Sequence, residues 1–363
     1  MSEFNSIQTL YNNLKSGLDS SSKKKNISII YAFNGVGKTR LSQEFVKLNE
    51  NYEDDKIEVL CYNAFLEDDF SWDNKNHILR INPSWITELI IDEGLEKRIV
   101  ENFKNILSTN IEPDLDLEKG EISFNIFSGD DNSQNNIKIS RAEENIFIWS
   151  VFYTILEAIL DNLNQNKENR SSNKFDELKY IIIDDPISSL DDNNLITLTT
   201  KLFDNINNYN GISKLNFLIM THHSLFYNIL CNSFKKLEKF NLNCFVLSKT
   251  NFKFKLDKLN SALFLYHLNA ISEIKKAINK DEIKKYYLNL FRSLLEINAS
   301  FLGLDKWYDC IVWDKKEEII KCLNLNSHNR LSHFESKELS YEQKELFKFA
   351  VNNFIKEFKW KVE

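Results

Sequence analysis

The stretch YIIIDDPISSLDD, Tyr180–Asp192, decides the fold. Tyr180–Ile183 is an unbroken apolar run of strand length, and it ends in two acids, Asp184 and Asp185. A buried strand would deliver both carboxylates to its carboxyl end. There the first can hold Mg²⁺, through water, and the second can orient or deprotonate an attacking water. An apolar strand ending in acids is common in α/β proteins, so the reading needs a second motif.

That motif lies upstream. Ile27–Tyr31 is a short β-branched and aromatic run that breaks into AFNGVGKT, Ala32–Thr39, and opens the helical pattern RLSQEFVKL. Strand, glycine loop and helix in that order are the context of a phosphate-binding loop. Backbone N–H groups would cradle a β-phosphate, Lys38 would reach the β- and γ-phosphates, and Thr39 would join Asp184 as a Mg²⁺ ligand. Asn34, Gly35, Gly37, Lys38, Thr39 and Arg40 are the nucleotide-binding candidates here. Ala32 stands where GxxxxGK[ST] has its first glycine, which is tolerable if its φ stays negative. Pro186 and then Ser189-Leu190-Asp191 follow the two acids in the order of ATP-binding-cassette (ABC) heads, and Asp191 joins the nucleotide-binding set. His222, after the strand-like NFLIM, stands where such a head senses the γ-phosphate, although a histidine at a strand end is more often structural. Asp185 occupies a position more usually Glu, so slow turnover is expected.

ABC heads complete each nucleotide site with a signature segment from a partner. The candidate is Ile139–Glu144, ISRAEE, ahead of an apolar helix read over Ile146–Leu160. Ser140 and Glu143 are assigned to nucleotide contact across a dimer. The same two residues make a plain helix cap, and both roles can hold at once. Ala142 stands where the signature has Gly. Between Asn63 and Lys138 no long heptad array appears, which opposes a chromosome-organising or DNA-end ATPase.

Composition bounds the rest. The 363 residues, 42% hydrophobic and 13% aromatic, are enough for one large domain and a smaller one. Five scattered cysteines without metal-ligand spacing and a start lacking a signal pattern point to a reduced, cytoplasmic protein. The most apolar run, Ile146–Leu156, is too short for a membrane span and reads as a core helix. The net charge of −7 is uneven: 20 Lys+Arg stand against 16 Asp+Glu from Thr250 onward, and 26 against 37 before it. A modest basic balance is by itself a weak RNA footprint.

From Lys258 the pattern turns helical: ALFLYHLNAISEIKKAI, KKYYLNLFRSLLEINASFLG and a terminal EQKELFKFAVNNFIKEFKW. The division expected is an α/β ABC-type P-loop NTPase domain over 1–249, with a small lid insertion at 66–138, and a helical domain over 250–363. Arg292 and Glu296 are four apart on one face of the second helix, a spacing that also suits an ordinary surface ion pair. Cys322–His333 reads as a polar turn carrying His328 and His333.

The chain resembles the PrrC-type anticodon nucleases of bacteria over almost its whole length. The resemblance is carried by IIYAFNGVGKTRLS, CYNAF with Trp72-Asp73-Asn74, EENIFIWSVFYTIL, YIIIDDPISSLDDNNLI, THHSLFYN, Tyr266–Leu268, LFRSLLEINASFLG and Ser327-His328. It implies an NTPase head, using ATP or GTP with Mg²⁺, that controls an all-α, HEPN-like nuclease domain cutting a tRNA, typically a lysine tRNA, in its anticodon loop. It further implies a cofactor-free Arg-Glu-His site at Arg292, Glu296 and His328, head-to-tail self-assembly into an even-numbered oligomer, storage with a type I restriction enzyme, release in phage defence, and no membrane. Chemically, His328 and Glu296 can share acid and base roles while Arg292 grips phosphate oxygens. Tyr266, His267, Tyr286 and Tyr287 are available to stack unpaired bases, or simply to fill a core. The rival reading is an ABC-type ATPase whose helical tail recruits another effector.

Overall fold

A computed structural model of the chain describes residues 2–20, 24–51, 56–63, 69–126, 135–186, 192–211, 213–250, 253–259, 265–327 and 339–359. The chain divides into two compact units, Met1–Ala262 and Leu263–Glu363.

In chain order the first unit comprises β1 (Ser2–Phe4), α1 (Ile7–Leu18), β2 (Lys25–Ala32), α2 (Lys38–Val46), β3 (Val59–Tyr62), β4 (Phe70–Asp73), β5 (Ile78–Ile81), α3 (Trp85–Asp92), α4 (Glu96–Leu107), β6 (Ile111–Asp116) and β7 (Glu121–Ile126). It continues through α5 (Arg141–Asn164), β8 (Tyr180–Asp184), α6 (Asp192–Asn208), β9 (Asn216–Thr221), α7 (Ser224–Lys235), β10 (Phe240–Thr250) and β11 (Lys253–Lys258). A seven-stranded sheet runs in the order β1-β11-β10-β2-β9-β8-β3. From β10 to β3 its pairs are parallel, and β11 with β1 closes it as an antiparallel edge. Strands β8 and β9 are buried at every residue and β2 nearly so, because helices cover both faces of a parallel sheet. The register brings Tyr31 opposite Thr221 and Asp184 opposite Met220, so the carboxyl ends of β2, β9 and β8 lie side by side.

A second sheet, antiparallel in the order β4-β5-β7-β6, forms within residues 70–126. Phe124 of β7 packs edge-on to Phe147 of α5 at 5.3 Å, and Phe103 of α4 touches both rings. Helix α5 is longer than the sequence pattern suggested, and by length and composition alone it could cross a membrane. Its apolar window is 83% buried within the protein, as for a core helix. Its hydroxyls bond back along the helix, Ser150 to the Ile146 carbonyl and Thr154 to that of Ser150, so that neither polar group is left bare.

The boundary falls after residue 262 rather than 249. Strands β10 and β11 pair from Phe245↔Lys258 to Thr250↔Lys253, and Phe254 and Leu256 are buried in the cluster that holds Ile30 and Leu10. A cut at 249 would remove β11 from its sheet.

The second unit is helical among the described residues: α8 (Leu265–Asn279), α9 (Lys285–Leu302), a 3-10 turn at Trp307–Cys310, α10 (Lys316–Ser327) and α11 (Tyr341–Glu357). Gly303 caps α9 in the left-handed region that glycine enters without strain. Phe291 of α9 meets Phe347 and Phe354 of α11 at 5.7 and 5.4 Å in the core. Each such buried ring contributes about 1.5–3 kcal/mol. Residues 322–327, expected as part of a turn, are the last residues of α10, with Cys322 and Leu323 buried.

Candidate functional sites

In the first unit the loop 33–37 joins β2 to α2 at the carboxyl edge of the parallel sheet. Gly35 and Gly37 adopt φ of 79° and 114°, and side chains rarely tolerate the latter. Ala32 closes β2 without positive φ, so the alanine in place of the first glycine costs nothing. The Lys38 ammonium is buried and donates to the Ala32 carbonyl and to Asn34 Oδ1, both at 3.2 Å, and it pairs with Asp185 Oδ2 at 3.1 Å. Asn34, Gly35 and Arg40 are exposed and Thr39 is half-buried.

The two acids have opposite surroundings. Burial, with the neighbouring Asp185 charge adding to it, pushes Asp184 up to about 6, against hydrogen bonds from Thr39 and Ser42 and the charge of Lys38. Its Oδ1 is buried without a hydrogen-bond partner among the described residues. An orphaned carboxylate oxygen beside a threonine hydroxyl is a donor set that suits Mg²⁺, which accepts one or two carboxylates and takes its other ligands from water and phosphate. Burial also opposes ionisation of Asp185, but the His222 hydrogen bond and the Lys38 charge outweigh it and hold its carboxyl below the ordinary value. His222 Nδ1 lies 2.6 Å from both Asp185 oxygens, and the His222 backbone N–H donates to Oδ1 at 3.2 Å. Asp185 itself sits at φ 54°, held by its own N–H donating to the Met220 carbonyl at 2.8 Å. For a residue other than Gly this is an uncommon, strained conformation, of a kind concentrated at functional sites.

Ser140 is the exposed N-cap of α5. Its Oγ accepts from the Glu143 N–H at 3.3 Å, and Glu143 Oε2 accepts from the Ser140 N–H at 2.6 Å. The capping box is therefore real. Asp191 lies outside the described residues. A cavity of about 720 Å³ adjoins the carboxyl-terminal end of α2, lined by Lys47, Ile57, Trp85 and Lys174 among others, and holds none of the loop or acid residues above.

In the second unit Arg292 projects from α9. Its Nε donates to Glu296 Oε1 at 2.9 Å, its Nη1 donates to Asn324 Oδ1 of α10 at 3.1 Å, and its Cζ lies 5.2 Å from the centre of the Trp307 ring. Arg292 is 20% exposed and Glu296 48%. His328 and His333 lie outside the described residues, as does the side chain of Tyr266, but α10 ends at Ser327, one residue before position 328. Burial lowers the pKa of His267. Tyr286 is 54% exposed, and Tyr287 packs against the core edge-on to it at 5.4 Å. The sequence reading missed Asn324 and Trp307. Asn324 stands in the same LNLNSH run as His328, the one local signal that could have raised it; Trp307 has none.

No family model matches the chain. A curated protein of Escherichia coli described as an anticodon nuclease is 37% identical over 335 residues, covering 85% of this chain and 83% of its own. Among solved structures, the Smc head domain with an extended coiled coil bound to the C-terminal domain of ScpA, from Pyrococcus furiosus, is 12% identical with a TM-score of 0.29, covering 48% of this chain and 37% of that one. That likeness is too slight to build on.

Proposed function

The chain belongs to the anticodon nuclease family, and on that premise we propose that it is an endoribonuclease that cuts tRNA in the anticodon loop, with its second unit as the nuclease and its first as an NTP-operated control. One observation carries the nuclease assignment: Arg292 is held by Glu296 and by Asn324, on the helix that leads directly to position 328.

The chemistry balances without a further reactant. A base removes the proton of the ribose 2′-OH, the 2′-oxygen attacks the adjacent phosphorus, and the bond to the 5′-oxygen breaks as an acid protonates it. The products are a 2′,3′-cyclic phosphate and a 5′-hydroxyl. Glu296 and His328 divide the acid and base roles, and the Arg292 fork stabilises charge on the phosphorane oxygens.

In the first unit, Thr39 and Asp184 would hold Mg²⁺, which would neutralise charge on the β- and γ-phosphates of bound ATP or GTP. Asn34, Gly35, Gly37 and Arg40 would line the nucleotide, Lys38 would pair with its phosphates, and Asp185, hydrogen-bonded to His222, would orient the attacking water. Ser140, Glu143 and Asp191 complete the site across a head-to-tail pair of chains. The substrate we favour is a lysine tRNA, and the setting is cytoplasmic phage defence beside a type I restriction enzyme.

Sequencing RNA ends after brief expression tests the reading. Cuts confined to one tRNA anticodon loop, with cyclic-phosphate ends that also form in EDTA once the protein is activated, are expected from wild type and, after the same brief expression, at a much reduced yield from Arg292→Ala. Cuts scattered through other RNAs, or none in any tRNA, would sink it.

A further inference from the structure

We propose that Asn324 and Trp307 are positioning residues that hold the Arg292 guanidinium in the orientation in which it grips the scissile phosphate; this rests on the nuclease reading above. Arginine is a long, rotamer-rich side chain, and its value to a phosphate is the fixed plane of its fork. Glu296 alone fixes little. It sits on the same helix one turn away and is half-exposed, and such i,i+4 pairs are weak. Glu296 is also assigned a proton, and a protonated carboxyl is a poorer acceptor for Nε.

The other two contacts are independent of that proton. Asn324 comes from α10 and reaches Nη1 at 3.1 Å. A neutral amide oxygen orients the fork without cancelling the charge that the phosphate needs. The Trp307 ring, from the 3-10 turn after α9, lies 5.2 Å from Cζ, within the range in which a guanidinium is attracted to an aromatic face. Trp307 packs against the buried cluster of this unit and meets Tyr308 edge-on at 5.6 Å, so its own position is set by the core. These contacts reach the fork from three elements, and those of Asn324 and Trp307 persist through the chemical step.

A double-mutant cycle on the full chain tests this, using single-turnover cleavage of an end-labelled tRNA that the wild type cuts. Asn324→Leu is expected to lower the maximal rate about 10- to 100-fold while the half-saturating tRNA concentration shifts less than about threefold, as for a misplaced catalytic group. In an Arg292→Ala background the same substitution should change the rate by less than about twofold, because its effect is transmitted through Arg292. Asn324→Gln keeps a neutral amide acceptor and Trp307→Phe keeps the ring face, so each should retain more of the rate than Asn324→Leu and Trp307→Ala. Cleavage by Asn324→Leu at the wild-type rate, or a loss that simply adds to that of Arg292→Ala, overturns the proposal. If Asn324→Leu melts early, the cycle is run with the Trp307→Ala and Trp307→Phe pair, where equal losses overturn it. Undiminished cleavage by Arg292→Ala would instead remove the nuclease site itself.

Discussion

Lys38 Nζ lies 3.1 Å from Oδ2 of Asp185, which ties the helix that begins at the glycine loop to the end of β8 across the carboxyl edge of the sheet. The cation expected to hold phosphate is thus paired with the carboxylate expected to orient water. His222 grips the same carboxylate from the end of β9. A phosphate that draws Lys38 to itself weakens one of the holds on Asp185 and leaves those of His222. In the proposed NTPase, substrate binding and partial release of the water-orienting group are then a single event.

Asp185→Asn should separate binding from turnover. Asn is isosteric and tolerates the left-handed conformation that Asp185 adopts, so the backbone is expected to stay in place. Losing the acceptor charge should cut NTP hydrolysis about 10²- to 10⁴-fold. The nucleotide should stay bound with its γ-phosphate intact, whereas Lys38→Ala should abolish binding. Filter binding and phosphate release measured together check this. Wild-type turnover in Asp185→Asn would mean that the assigned acid is the wrong one.

Asp184 predicts a pH dependence of opposite sign to that of an ordinary ion-paired carboxylate. Its folded pKa, about 6, lies above the value of 3.8 expected when unfolded, mainly because of burial. Its contribution to stability is therefore complete below about pH 4 and is lost as the pH rises through about 6. The shift corresponds to about 3 kcal/mol, as an order of magnitude. In EDTA, Asp184→Asn should melt higher than wild type at pH 8, with the gap closing by pH 4, and it should lose Mg²⁺-dependent nucleotide binding. Equal melting curves across that range would show that burial of Asp184 costs the fold nothing.

What was legible in the sequence was local. Strand β8 could be read because its apolar run does not alternate, and the glycine loop because its residues are contiguous. Arg292 and Glu296 were legible because a helix turns every 3.6 residues. Asn324, 32 residues downstream of Arg292, could not be linked to it because no spacing rule joins two helices separated by a turn. The end of helix α10 looked like a polar turn because CLNLNS interleaves its leucines with Asn and Ser and shows no extended apolar stripe. The 249/250 boundary failed for a similar reason. The alternating FKFKL suits an antiparallel strand, but only the fold shows that its partners are β10 and β1.

Ser140 has two assigned roles that one substitution can separate. Loss of the cap in Ser140→Ala should cost about 1 kcal/mol, lowering the melting midpoint whether or not a nucleotide is nearby. Ser140→Asp keeps a good N-cap yet sets a negative charge where a partner's γ-phosphate is proposed to sit. That variant should fold as stably as wild type and lose NTP-driven self-association. If Ser140→Asp associates with NTP as wild type does in sedimentation velocity, Ser140 is only a cap.

The histidine assignment can be decided between two neighbours. His328 directly follows the last residue of α10, whose Asn324 side chain bonds Arg292, while His333 stands five residues further on. Counted along the chain from Asn324, which bonds Arg292, His328 is four residues away and His333 nine, so the nearer histidine has the shorter tether to that arginine. His328→Ala should therefore lower tRNA cleavage about 10²- to 10⁴-fold, as expected for removing an acid–base group. His333→Ala should cut within a few fold of wild type, and both variants should bind NTP normally because their substitutions lie in the second unit. Cleavage assays at matched protein levels decide between them. Loss of activity in His333→Ala alone would move the proton-transfer role five residues along the chain, and normal cutting by both would place that role on another group.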